Sequence, residues 1–252
     1  MNFNSLSFLI FLPITVFLYW VIPHRFRWIL LLIASYFFYM SWNFWMGFLM
    51  FGTCLVAYLC SLLISRTKKK KVRKLGLAIA VVFCLGVLIF FKYINFLLEN
   101  LTGVIRLFGG EIDDISLNIL LPVGISFYTF QTLSYVIDVY RGDFEAEKHF
   151  GYFALFVSFF PQLVAGPIER PGKLLPQLKE ERKFRKEYFT EGMEFLLLGF
   201  FRKCVIADMC GVFVNHVFAN LSEATALSVI LAALLHLFLF SLYRRFGQRP
   251  VQ

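Results

Sequence analysis

Four histidines are the general-base candidates of this chain, because imidazole titrates near neutral pH. His24 sits in the turn PHRFR and His149 follows Lys148 at the edge of an apolar run, both interfacial settings. His216 closes another run eight residues after Asp208, close enough to two helical turns for the pair to share a face. His236 lies inside LAALLHLFLFSLY, where an ionisable group marks a functional candidate, yet residues 231–242 hold no carboxylate, amide or arginine to orient it. Five cysteines (Cys54, Cys60, Cys84, Cys204, Cys210) make no CxxC pair and have no histidine at metal spacing, so they read as small packing residues rather than ligands. The chain has no GxSxG elbow, Walker A loop, HExxH or paired carboxylates. The common hydrolase, nucleotidase and metalloprotease chemistries therefore lack their residues.

The densest polar string is Ser126, Tyr128, Gln131, Ser134, Tyr135, Asp138, Tyr140 and Arg141. On a helix Gln131, Tyr135 and Asp138 fall on one face at i, i+4 and i+7, and Tyr128 extends that face by a turn. Such a stripe can hydrogen-bond a polar ligand or hold a neighbouring helix, and spacing leaves both readings open. A second group follows in Pro161, Gln162, Gly166, Pro167, Glu169 and Arg170. These are residues that a plain lipid-facing helix avoids.

The elements that carry these groups follow from composition and charge. Hydrophobic residues make up 59% of 252, aromatics 19% and charged residues 16%, far more apolar side chain than one soluble core requires, which excludes a soluble enzyme. At about 20 residues per crossing the apolar stretches predict an all-α polytopic membrane protein of roughly seven transmembrane helices, one integral membrane domain over 1–252. The net charge of +9 then has a topogenic explanation, and nucleic acid is not expected as a partner. The amino terminus lacks a basic leader and a small-residue cleavage site, so it is expected to stay as the first helix.

Apolar runs predict spans near Ser5–Ile22, Trp28–Ser41, Phe44–Ser65 and Leu75–Leu98, with later runs at Phe189–Val217 and Ala226–Tyr243. The connection from Arg66 to Lys74 carries seven basic residues and no acid, whereas that from Glu99 to Ser116 carries four acids and one arginine. The first belongs in the cytoplasm and the second outside, which places PHRFR inside and the amino terminus outside. Two full crossings after Leu117 would put Glu169–Glu187 outside, although it holds seven basic residues against four acidic. One segment should therefore fail to cross. Phe150–Ile168 is expected to be re-entrant, with Pro161 and the Gly166–Pro167 pair breaking its helix where the chain turns back.

Four stretches, FKYINFLLEN, PVGISFYTFQTLSYVIDVYRG, SFFPQLVAGPIERPGKLLPQL and GFFRKCVIADMCGVF, resemble in order and spacing the signatures of the membrane-bound O-acyltransferase (MBOAT) family. The similarity is to its alginate O-acetyltransferase branch, whose relatives include the D-alanyl transfer protein of teichoic acid. The opening FLPITVFLYWVIPHRFRWILLLIASYFFYMSWN is similar to the same branch.

The resemblance implies a helical funnel through a bacterial inner membrane. It would take an acyl group from a cytoplasmic thioester, acetyl-CoA in this branch, with no cofactor resident in the protein. It would pass the group to a hydroxyl on an exported polysaccharide, through an extracytoplasmic partner protein. Gln131, Tyr135, Asp138, Tyr140, Arg141, Pro161, Gln162, Gly166, Pro167, Glu169 and Arg170 would shape the substrate cavity. The family's catalytic histidine follows a later aromatic helix, which nothing after Leu235 resembles, so His236 does not inherit its role. The expectation is thus an acyltransferase core over residues 5–235 that stops before the catalytic histidine, with an atypical tail at 236–252. The alternatives are a non-enzymatic remnant, which the missing histidine motivates, and a small transporter, which the polar residues at membrane depth motivate.

Overall fold

The computed structural model describes residues 3, 5–107, 117, 120–163, 166, 169–221 and 224–246. Eleven α-helices occur among these residues, and no strand. They are α1 (Leu6–Val21), α2 (His24–Met40), α3 (Phe44–Arg66), α4 (Lys70–Leu107), α5 (Ile125–Arg141), α6 (Phe150–Ser158), α7 (Phe160–Leu163), α8 (Pro171–Lys179), α9 (Lys186–Phe200), α10 (Asp208–Ala219) and α11 (Ala226–Phe246). A π-helical stretch, Phe201–Ala207, joins α9 to α10. The contacts divide the chain into two units, one holding Phe11–Glu181 and the other Arg182 onward together with the stretch that ends at Ile10.

Two helices, α3 and α4, are long and apolar enough to cross a membrane. Both faces of α3 are apolar. Met46, Met50, Cys54, Ala57, Ser61 and Ile64 recur every three or four residues and are buried against neighbours, with the small ones letting backbones approach. The opposite face presents Phe44, Phe48, Phe51, Leu55, Leu59 and Leu63 outward. A helix that is apolar on its outward face as well is suited to lipid, not water. The structure extends α4 beyond the expected Leu75–Leu98 at both ends, from within the lysine run at Lys70 to Leu107. The expected acidic connection therefore begins as helix, and most of its remainder, 108–116, lies outside the described residues.

The first unit is built around α3, which packs on α4, α5, α6 and α2, while α2 and α8 also pack on α6. Helix α5 is delimited by two glycines with positive φ. Gly124 (φ 75°) precedes it, and Gly142 (φ 87°) ends it in a Schellman turn, in which the Asp143 and Gly142 amides donate to the carbonyls of Asp138 and Val139. A side chain at Gly124 would also meet the Leu163 carbonyl oxygen at 2.8 Å, so glycine is required on both counts.

The segment after α5 breaks at a different residue from the one expected. Its helix stops at Phe159 (φ −51°, ψ 108°), before Pro161, and restarts as the four-residue α7. The displaced break has a simple cause. A continuous helix would force the Pro161 ring against the Val157 carbonyl, whereas a restart at Phe160 puts Pro161 in a first turn, where its missing N–H costs nothing. The Phe160 amide freed by the break donates to the hydroxyl of Ser35 on α2, at 3.2 Å. Nine residues of α6 rise only about 14 Å, less than half a bilayer's hydrocarbon core.

Side-chain contacts put several connections at one end of this unit. Arg73 donates to the Tyr140 carbonyl at 2.5 Å, His24 Nε2 donates to the Lys179 carbonyl at 3.1 Å, and the Lys179 ammonium pairs with the Glu147 carboxylate. The turn before α2, the basic α3–α4 connection, the α5–α6 loop and the end of α8 therefore share that end. The chain leaves it at His149 and is back at Lys179.

Candidate functional site

The polar stripe of α5 faces the interior of the first unit. Gln131 is 1% exposed and Tyr128 and Tyr135 are fully buried, so the periodicity of the sequence located an interior face. Gln131 Nε2 donates to the Phe156 carbonyl at 2.8 Å, and its Oε1 accepts from Gln162 Nε2 at 3.0 Å. Phe156 lies in the last turn of α6 and Gln162 in α7, so one amide spans the two sides of the break. Of the two readings the spacing left open, Gln131 takes the interhelical one.

Tyr135 works differently. Its hydroxyl accepts the backbone N–H of Glu147 at 2.7 Å, and its ring centroid lies 4.7 Å from that of Phe153 on α6. The Tyr128 ring stands edge-on to Tyr39 of α2, with centroids 6.3 Å apart. The hydroxyls of Tyr36, Thr129, Thr132 and Ser158 are buried and find no hydrogen-bond partner among the described residues, while those of Tyr39 and Tyr128 lie within reach of each other. Buried hydroxyls without partners are costly in an apolar interior and are a reason to place a polar guest near them. They come from α2, α5 and α6, the helices that also enclose Gln131 and Gln162.

The remaining site candidates divide. Gly166 lies beside Gln162, its N–H donating to the Gln162 carbonyl at 2.9 Å, so close that a side chain there would meet Gln162 Cα at 2.8 Å. Asp138 and Tyr140 are half-buried at the far end of α5, where the Arg73 guanidinium lies 5.3 Å over the Tyr140 ring. Arg141, Pro161 and Arg170 are exposed and Glu169 is half-buried. Arg170 immediately precedes α8, whose first helical residue is Pro171. Pro167 lies outside the described residues. The structure thus joins Gln131, Gln162 and Gly166 in one place and sets Asp138, Tyr140 and Arg141 at the end that bears the basic connections. Among the histidines, His236 is exposed on α11, while His149 packs edge-on against Trp28 (4.8 Å) and beside Tyr152 (5.3 Å). No group of three or more His, Cys, Asp or Glu suited to a metal occurs among the described residues.

Sequence reasoning missed Glu147. It is 7% exposed, and it receives the His149 N–H on Oε1 at 3.1 Å and the Lys179 ammonium on Oε2. The only hint in the sequence was an acid next to Lys148 and His149 in EAEKHF, just before an apolar run. Tyr58 of α3 adds a further tie by donating to the Lys148 carbonyl at 2.6 Å.

Comparison with known proteins bears on the chemistry. The chain is 40% identical over 227 residues to the probable alginate O-acetylase AlgI of Pseudomonas aeruginosa, covering 89% of this chain and 43% of that one. It is 40% identical over 249 residues to the same enzyme of Azotobacter vinelandii, covering 93% and 47%. The peptidoglycan O-acetyltransferase of Helicobacter pylori is 32% identical over 244 residues, covering 86% and 45%. The chain spans about half the length of the curated relatives it matches. No family model matches it, and no solved structure matches it. An aligned stretch of 89% cannot miss the middle of the chain, so α5, α6 and α7 are part of what these relatives share.

Proposed function

We propose that this chain, a homologue of the alginate O-acetylases within the membrane-bound O-acyltransferase family, forms part of a membrane enzyme that O-acetylates an exported polysaccharide. The observation that carries the reading is 40% identity over 227 residues, an alignment that includes the segment where a broken helix and a buried glutamine pair meet. The donor is acetyl-CoA, used from the cytoplasmic side. Its thioester C–S bond breaks as an ester C–O bond forms to the acceptor hydroxyl, a base takes the hydroxyl proton, and coenzyme A leaves as the thiol. The acceptor polymer is reached through an extracytoplasmic partner protein. In a bacterial inner membrane the chain makes about seven crossings, and α6 and α7 enter and return without crossing, so that irregular backbone lies against protein.

What supports a re-entrant α6–α7 is the length of α6 and the return of the chain, by Lys179, to the end it left at His149. Gln131, Gln162 and the buried hydroxyls of α2, α5 and α6 form the polar wall of the funnel, and Arg141, Arg170 and their basic neighbours lie toward the donor. None of the four histidines is the base. His236 in particular has no carboxylate or amide near it on α11 to fix a tautomer.

The test is acetyl transfer from acetyl-CoA to polymer in membranes of an acetylation-deficient strain. It would use this gene's product, its His236→Ala variant and a full-length alginate O-acetylase. Polymer ester restored by the full-length relative and unchanged by His236→Ala in any active background is the expected result. Activity of this chain that vanished in His236→Ala would make His236 the base and overturn the assignment.

A further inference from the structure

The buried carboxylate of Glu147 takes no part in the glutamine pair, and it joins more chain segments than any other charged side chain described above. Three groups converge on this residue. Its own N–H donates to the Tyr135 hydroxyl of α5 at 2.7 Å, its Oε1 takes the His149 N–H at the start of α6, and its Oε2 holds the ammonium at the end of α8. Lys179 is tied a second time through its carbonyl to His24, and its ammonium lies 5.5 Å over the Tyr152 ring. The two partners are buried unequally: Glu147 is 7% exposed and the Lys179 side chain 44%. A lysine in water loses little when its partner is removed, but a carboxylate in the interior needs its cation and its N–H donors to remain there.

We propose that Glu147 is a positioning residue for the returning limb α6–α8. It clasps the end of α8 to the loop from which α6 departs, and so closes the limb into a hairpin with both feet at one face. The deep end of the limb is held separately, by Gln162 on Gln131. With both ends tethered, the segment that carries Gln162 and Arg170 is fixed against α5. Without Glu147, α8 keeps its apolar contacts, with Leu175 at their centre, and the single bond from His24 to the Lys179 carbonyl, but nothing ties it to the loop before α6. This inference rests on the proposed topology only for the side of the membrane on which the clasp lies. It does not require the acyl-transfer chemistry.

The experiment is timed trypsin digestion of the full chain in inverted inner-membrane vesicles. It scores the ratio of cleavage after Lys173, inside α8, to cleavage after Arg182, in the irregular stretch 181–185. A docked helix resists the protease, and cleavage of a transiently opened one follows the population of the open form. Glu147→Gln and Lys179→Met should each raise the ratio about tenfold, Lys179→Arg should leave it at the wild-type value, and the double variant should add little to either single one. Met50→Ala, which hollows the core at α3 without touching the clasp, should lower thermal stability and leave the ratio unchanged.

Equal ratios in wild type, Glu147→Gln and Lys179→Met would overturn the proposal, since α8 would then be held without the ion pair. A rise in Met50→Ala as large as in Glu147→Gln would overturn it equally, because the limb would be reporting general destabilisation. Cleavage after Arg182 from the outside of intact spheroplasts would refute the proposed topology and leave the ratio test of the clasp readable from that side.

Discussion

Gln131 has both ends of its amide committed to protein, one to the Phe156 carbonyl and one to Gln162. Replacing either glutamine with leucine keeps the volume near its native value and strips the partner's buried polar atoms of their hydrogen bond. Gln131→Leu is expected to be the worse of the two, because it frees a carbonyl and an amide together, at a cost of about 1–3 kcal/mol per stranded group. A double-mutant cycle with Gln162→Leu should give a coupling of about 1 kcal/mol, in the range for hydrogen bonds between membrane helices. Thermal unfolding in mild detergent would measure it, and additive single effects would show that the two amides act independently. The interior face of α5 was legible in the sequence because helical period sorts Tyr128, Gln131 and Tyr135 onto one side. What that side meets was not legible. Phe156 and Gln162 lie 25 and 31 residues away, and nothing local connects them to Gln131. Glu147 escaped for the same reason, since its burial depends on Tyr135, twelve residues back, and on Lys179, far ahead.

At the scale of elements, the four apolar runs before residue 100 were legible as helices, and their ends were found to within a few residues except for α4. Charge was read there as a stop signal, but lysine and glutamate are good helix formers and extend a helix into the headgroup region and water. The break at Phe159 was displaced because a proline acts on the helix before it, not at its own position. The π-helical stretch Phe201–Ala207 had no signature in composition. Its mark is an ion pair at i and i+5, Lys203 Nζ to Asp208 Oδ1 at 2.7 Å, between residues whose backbones are also joined i to i+5. In an α-helix those side chains would be about 140° apart. A π turn holds one residue more than an α turn, so deletion of Val205 should return the stretch to α-helix at the loss of an exposed ion pair, worth about 0–1 kcal/mol. Deletion of Val212 in α10 should cost far more, because it rotates Val214 and Val217 away from Ala232 of α11. Melting temperatures of the two deletion variants would decide the matter, and equal losses would deny the π stretch any slack.

At the scale of the molecule, side-chain contacts gather at one end of the first unit the connections that charge parity assigns to the cytoplasm. Parity counts lysines in loops, and the contacts run from Arg73 to Tyr140, Glu147 to Lys179 and Lys179 to His24. Reporter fusions should therefore read cytoplasm after Arg73 and after Lys179, and outside after Asp114, a position beyond the described residues. An outside signal at Lys179 would require α6 and α7 to cross.

Helix α4 has a consequence for the bilayer itself. Its 38 residues rise about 57 Å against a hydrocarbon core of about 30 Å, but its outward side is free of polar side chains only from Leu75 to Phe91, about 25 Å, because Lys92, Glu99 and Asn100 are exposed beyond it. Set in a bilayer, the turns from Lys92 onward belong in the headgroup region and water, where these side chains keep their hydration. Reconstituted into phosphatidylcholines of increasing chain length, from about 14 to about 22 carbons, the protein should melt highest toward the shorter lengths and lose stability at the longest. A steady rise to the longest chains would mean that the turns carrying Lys92, Glu99 and Asn100 lie within the hydrocarbon after all.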